Sequence, residues 1–354
     1  MKKNIKRKIN IYLKAFLSFV IILMSITSVV MQVPNIELYN LLNIKSAVNN
    51  SGKMDLNFHQ KKSEIDDGGN DKKDVKEVYS AKNTTDAKEE TTTIDNSGKK
   101  KYPVYEEQYG TAGEISIKNN TNYTIDIEKE LAKELPFDII DTQKPQVLIV
   151  HTHASEAYLL EDTGYYYEDY TSRSLNNKTN ILQVGKKLTK TLNDRGISTL
   201  QSLVHHDSPT YNGSYDRSEK TIYQYLKKYP SIKVVIDVHR DAIGYGGEQG
   251  KYKPTFVANG KKAAQIMIMS GYDPTGAYGF EHWQNNLGFA VKLEETAERL
   301  YPGMTRPLYF GDFAYNMFIN SGSLLIEVGT DANTLDEAVY TGELLGNVIA
   351  EVLS

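Results

Sequence analysis

The stretch Val147-Leu-Ile-Val-His-Thr-His-Ala-Ser-Glu156 joins four consecutive apolar residues directly to a polar cluster. A short, wholly apolar run marks a central strand buried on both faces, with helices covering the sheet from either side. In α/β sheets of that kind, ligands bind at the carboxyl ends of the strands. His151, His153 and Glu156 follow Val150 and therefore stand where chemistry is expected.

The pattern repeats downstream. Val234-Val-Ile-Asp-Val238, Ile266-Met-Ile-Met269 and Leu324-Leu-Ile-Glu-Val328 read as further buried strands, and 197–200 as a shorter one. Between them, Ile181, Val184, Leu188 and Leu192 fall at helical spacing within 177–195, and Gly196 follows in a good position to end that helix. Helices are likewise predicted over 217–229 (stopped by Pro230), 285–301 (closed by Pro302-Gly303) and 335–353. Strands alternating with helices predict an α/β domain with a mainly parallel central sheet flanked by helices, over 145–354.

Upstream the chain changes character. Lys2, Lys3, Lys6, Arg7 and Lys8 precede an uncharged run of 19 residues from Ala15 to Val33. That is close to the ~20 residues a helix needs to cross a bilayer. Residues 1–34 are therefore read as a basic cytoplasmic tail and an uncleaved single-pass transmembrane anchor, with the rest of the chain outside the cell membrane. A cleaved signal peptide is the rival reading, and no A-x-A-like site follows the run. Residues 35–101 are read as a flexible extracytoplasmic linker, because 49–101 holds too few large apolar residues to build a core. Residues 102–144 are read as an N-terminal extension of the catalytic domain, with a helix over 125–135.

There is no cysteine, so an exported chain has neither disulfides nor thiolates, and any metal site must use His and carboxylates. A net charge of −4, with no basic patch beyond the tail, gives no sign of a nucleic-acid partner. Three strand ends carry compatible groups: His151, His153 and Glu156; Asp237, His239, Arg240 and Asp241; and Glu327. Catalytic zinc commonly takes three such ligands and leaves a fourth position open. Glu327, in an apolar strand, suits a general base and acid, since a buried unpaired carboxylate is costly. Arg240 is a candidate to steady an oxyanion or a substrate carboxylate. His205-His206-Asp207 reads as structural or as substrate rim, and Tyr165-Tyr-Tyr-Glu-Asp-Tyr170 as loop packing or a sugar-stacking surface. The Gly-rich run 244–250 lacks dinucleotide spacing, and no Walker A or G-x-S-x-G sequence is present.

The runs 147–158, 179–188, Ile236-Asp-Val-His-Arg-Asp-Ala242 and Leu324-Leu-Ile-Glu-Val-Gly-Thr330 resemble the stage II sporulation protein P family. The basic N-terminus and single span agree with it. That family is similar to the zinc N-acetylmuramoyl-L-alanine amidases. The resemblance implies an α/β amidase fold, Zn2+ held by His, Glu and His, and a late Glu as catalyst. It also implies peptidoglycan as substrate, cut between N-acetylmuramic acid and L-alanine and in part at stem-peptide crosslinks. The implied partners are stage II sporulation proteins D and M at the engulfing septal membrane. In the general amidases the Glu ligand opens the helix after the first strand. Here that place holds Asn177-Lys178, which leaves Glu156 as the substitute. The expected metal set is thus drawn from His151, His153, Glu156 and His239. The residues leave two other readings open, a zinc peptidase acting only on stem peptides and a non-catalytic wall-binding scaffold.

Overall fold

The computed structural model of the chain describes residues 93–94, 98–139 and 144–354. The predicted tail, the apolar run and most of the linker lie outside them. Among the described residues, no helix is long and apolar enough to cross a membrane.

The elements run in the order β1 (Thr93–Ile94), β2 (Lys100–Glu107), β3 (Ile117–Asn119), α1 (Ile127–Ala132), β4 (Val147–Val150), β5 (Tyr165–Tyr167), α2 (Leu182–Asp194) and β6 (Thr199–Gln201). They continue with α3 (Ser214–Lys228), β7 (Val234–Asp241), β8 (Lys251–Ala258), β9 (Lys261–Ala264), β10 (Ile266–Gly271) and α4 (Trp283–Leu300). Last come β11 (Leu308–Gly311), β12 (Ser323–Thr330) and α5 (Leu335–Val352).

The main sheet has the order β3-β11-β10-β12-β7-β4-β6. Every junction in it is parallel except β10–β12, so the sheet is mixed with a parallel majority. The exception arises because β9 hands the chain to β10 through Gln265 alone, from a second sheet. That second sheet, β1-β2-β8-β9 with β5 also paired to β2, was not anticipated. β1 and the first residues of β2 fall within the stretch read as linker.

All four residues of β4 are fully buried, as a strand covered on both faces requires. Val147 and Ile149 join the large core with Val184, Leu188, Phe289 and Leu345, whereas Leu148 and Val150 meet Ile222 and Val235 in a smaller one under α3. Helix ends follow local chemistry. Gly196 adopts φ 84° behind α2, as expected of its position, and Thr334 with Glu337 forms a reciprocal capping box at the start of α5.

Candidate metal centre

The register of the main sheet brings the predicted groups together. In the parallel pair β7–β12, Glu327 lies directly opposite His239, and Leu325 opposite Asp237. On the other side of β7, Asp237 pairs with Val150, the last residue of β4. Residues 151–157 thus turn over the ends of β4 and β7. Asp237 anchors that turn, accepting Thr152 N–H at 2.9 Å and the Thr152 hydroxyl at 2.6 Å.

His153, Glu156 and His239 are buried, and each offers a ligand atom within 4.8 Å of the others. Glu156 sits between the rings, with Oε1 3.5 Å from His153 Nδ1 and Oε2 3.6 Å from His239 Nδ1. Donors bound to one tetrahedral zinc at ~2.1 Å lie about 3.3 Å apart, so this set fits that ion. The far ring nitrogens have polar neighbours: His153 Nε2 is 3.1 Å from Ser214 Oγ, and His239 Nε2 lies 3.0 Å from Asp237 Oδ1 in an ion pair without hydrogen-bond alignment. Partners on the far nitrogen fix the ring and direct the near nitrogen at a metal.

Two of the expected residues lie apart from this set. His151 does not join the set. Its Nδ1 is 2.9 Å from the Val238 carbonyl and its Nε2 is 3.1 Å from Gln201 Nε2, so both ring nitrogens are used inside the fold. Burial pushes its pKa down to about 4, which keeps the ring neutral. Arg240 is also a structural group. Its guanidinium donates to the carbonyls of Ala157 (3.1 Å), Asp241 (3.3 Å) and Ser172 (2.6 Å), and its backbone N–H donates to Glu156 Oε2 at 3.1 Å. Through those donors it ties the Glu156 turn to β7.

The site is strongly charged. Burial alone would depress His239, but Asp237, Glu156 and Glu327 around it raise its pKa to about 10. Burial would likewise raise Glu156, yet His153, His239 and Arg240 bring it down to about 2. Without a metal, a His239 imidazolium supplies the positive charge this carboxylate cluster needs. Glu327 goes the other way. Burial and the Asp241 charge raise it to about 8, against the pull of His239. Among the described residues its buried Oε2 has no hydrogen-bond partner.

The chain matches the family model described as Stage II sporulation protein P over residues 27–350. It belongs to that family. No curated protein matches the chain. Among solved structures it is similar to the apo N-acetylmuramyl-L-alanine amidase Ami1 of Mycobacterium abscessus, at 14% identity and TM-score 0.36, covering 59% of this chain and 99% of that one. It is similar to an N-acetylmuramoyl-L-alanine amidase from Clostridium difficile at 18% identity and TM-score 0.32, covering 60% and 96%. It is also similar to the CwlD amidase from Clostridioides difficile in complex with the GerS lipoprotein, at 15% and 0.32, covering 59% and 98%.

Other residues of this stage II sporulation protein P family chain surround the set, and no motif in the sequence marks them. Tyr211 stacks on His153 (4.4 Å between centroids, 24°), with Arg173 4.9 Å from the Tyr211 ring. Tyr215 lies nearly parallel to His239 at 6.3 Å. Ser214, Tyr211 and Tyr215 come from the start of α3 and the loop before it, far in sequence from any strand end. The 205–207 run is structural. His206 bonds the His151 carbonyl and Thr221, and Asp207 holds Ser155 and Arg173. In the Tyr165–Tyr170 run, the first three residues form β5 against β2, with Lys101 over Tyr165 and Tyr166 packed against Tyr102 and Tyr170, so the run packs within the second sheet and not as a loop.

Proposed function

We propose that this chain is a membrane-anchored, zinc-dependent peptidoglycan hydrolase that cuts the amide between N-acetylmuramic acid and L-alanine during sporulation. The observation that carries this reading is the buried His153–Glu156–His239 set with Glu327 directly opposite His239. Bound there, zinc would supply Lewis acidity, polarising a carbonyl and lowering the pKa of water towards ~7. Glu327 takes the proton released by the attacking water and returns it to the departing amine nitrogen of the stem peptide. Burial gives this carboxylate a greater proton affinity than an exposed one, which favours taking a proton from water. Asp237 and Ser214 hold the two histidine rings, and Arg240 holds the Glu156 turn.

Cleavage of stem-peptide crosslinks, association with stage II sporulation proteins D and M, and residence at the septal membrane belong to the same proposal, through the family. Mass spectrometry of muropeptides after digestion of purified wall tests the reaction. Glycan strands stripped of peptide are the expected product. Cut crosslinks with every glycan–peptide link intact would replace the amidase by a peptidase, and no product at all would leave a scaffold.

A further inference from the structure

We propose that a row of aromatic rings, leading from His239 to β11 beside the edge strand of the main sheet, binds the glycan on the sugar side of the scissile amide. This rests on the amidase reading above. The register fixes the direction of the row. Met267, Glu327 and His239 face one another across β10, β12 and β7, and Met269 lies opposite Tyr309 of β11 on the same face. α4 covers these strands from the other side, where Trp283 packs 6.0 Å from Phe310. On the Glu327 side, Met267, Tyr309, Phe313 and Tyr315 remain half-exposed.

Four ring contacts connect the metal set to that edge. His239 and Tyr215 lie 6.3 Å apart at 9°, Tyr215 and Tyr315 5.3 Å at 27°, Tyr315 and Phe313 4.8 Å at 34°, and Phe313 and Tyr309 5.6 Å at 13°. The backbone carrying the middle of the row is strained. Tyr315 and Asn316 hold φ 40° and 64°, a region that residues other than glycine seldom occupy. Asn316 secures the turn by donating to the Tyr215 carbonyl (3.2 Å) and to Ser218 Oγ (2.8 Å). Ser218 in turn meets Thr152 at 2.7 Å, beside the metal set. Strain kept by such ties collects at ligand sites. A saccharide matches the row chemically, since its C–H groups pack on exposed aromatic surface; at the rim the Tyr309 hydroxyl accepts from Asn120 at 2.8 Å and Lys118 lies 5.6 Å from the ring, polar groups within reach of sugar hydroxyls.

The test uses the full chain carrying Glu327→Gln to block turnover. The probes are peptide-free N-acetylglucosamine–N-acetylmuramic acid oligosaccharides and, separately, a sugar-free stem peptide, each titrated by calorimetry. Tyr309→Leu and Phe313→Leu keep bulk and remove the ring; each should weaken oligosaccharide binding at least about fivefold, an aromatic contact being worth ~1 kcal/mol. The stem peptide should bind as before. With Glu327 restored, the same variants should raise KM for wall fragments and leave kcat within about twofold. Tyr309→Phe should retain oligosaccharide binding, and unchanged zinc content certifies folding. Unchanged oligosaccharide affinity in both leucine variants overturns the proposal, as does an equal loss for the stem peptide. If muropeptide analysis finds no cut glycan–peptide links while the variants still lose oligosaccharide, the amidase reading fails and the glycan row stands.

Discussion

Glu327 and His239 face each other, yet their roles separate by experiment. Glutamine has nearly the shape of glutamate, so Glu327→Gln should keep fold and zinc. It should lower turnover by at least ~10²-fold, the usual contribution of a general acid–base group. His239→Ala should lose metal and activity together, because it removes one of three donors. Zinc by elemental analysis alongside wall hydrolysis checks both, and near-normal hydrolysis by zinc-loaded Glu327→Gln would move the base role to another carboxylate. The sequence led to this row because alternation along a strand puts Asp237, His239 and Asp241 on one face. It did not separate His151 from His153, since both follow the same strand and only the partners of their ring nitrogens differ. The structure shows a reason for one neighbour of His151. A Cβ on Gly185 would stand 2.3 Å from His151 Nε2 and 2.4 Å from Gln201 Nε2. Gly185→Ala should therefore cost ~1–3 kcal/mol in urea unfolding, an overpacking effect.

Among the elements, legibility followed burial. β4, β7, β10 and β12 stood out as apolar runs, and α2, α4 and α5 as periodic ones, with ends within a few residues of those seen. β2 and β8 did not, because Lys100–Glu107 is half-exposed and Lys251–Ala258, though largely buried, mixes lysine, tyrosine and proline with its apolar residues. α4 holds one feature that no pattern signals, the buried pair Glu294 and Glu298. Glu298 is satisfied by Gly113, Gly303 and Thr305, whereas Glu294 accepts from the Thr305 hydroxyl at Oε1 (3.0 Å) and its Oε2 has no hydrogen-bond partner among the described residues. Burial, with the Glu298 charge adding to it, raises Glu294 to about 8. Between the ordinary 4.5 and about 8 the folded chain keeps a proton that the unfolded chain releases, so this group makes stability fall as pH rises. Glu294→Gln should remove that slope, worth up to about 1.4 kcal/mol per pH unit. Relative to the parent, the variant should gain stability from pH 5 to pH 8 in urea titrations. A constant difference across that range would show that Glu294 is ionised in the folded protein.

For the whole molecule, the question is where the spacer ends and the folded unit begins. Composition places the change at 101, but pairing places it earlier. β2 is an interior strand of the second sheet, bonded to β5 on one side and β8 on the other. Tyr105 packs 5.1 Å from Tyr252, and Glu106 bonds Thr255 at 2.8 Å and Lys262 at 2.7 Å. β8 carries Lys253, which meets Glu337 of the α5 capping box at 3.0 Å, and the Tyr252 carbonyl accepts from Thr330 at the end of the Glu327 strand. Removing β2 would expose β8 and loosen its ties to α5 and to the end of the Glu327 strand. A chain shortened to begin at residue 93 should therefore keep zinc and cut isolated wall in solution as the full chain does. One beginning at residue 109 should unfold at lower temperature and lose activity. Thermal melting and wall hydrolysis of the two truncations check this, and equal stability would mean that the second sheet contributes nothing to holding Glu327 in place.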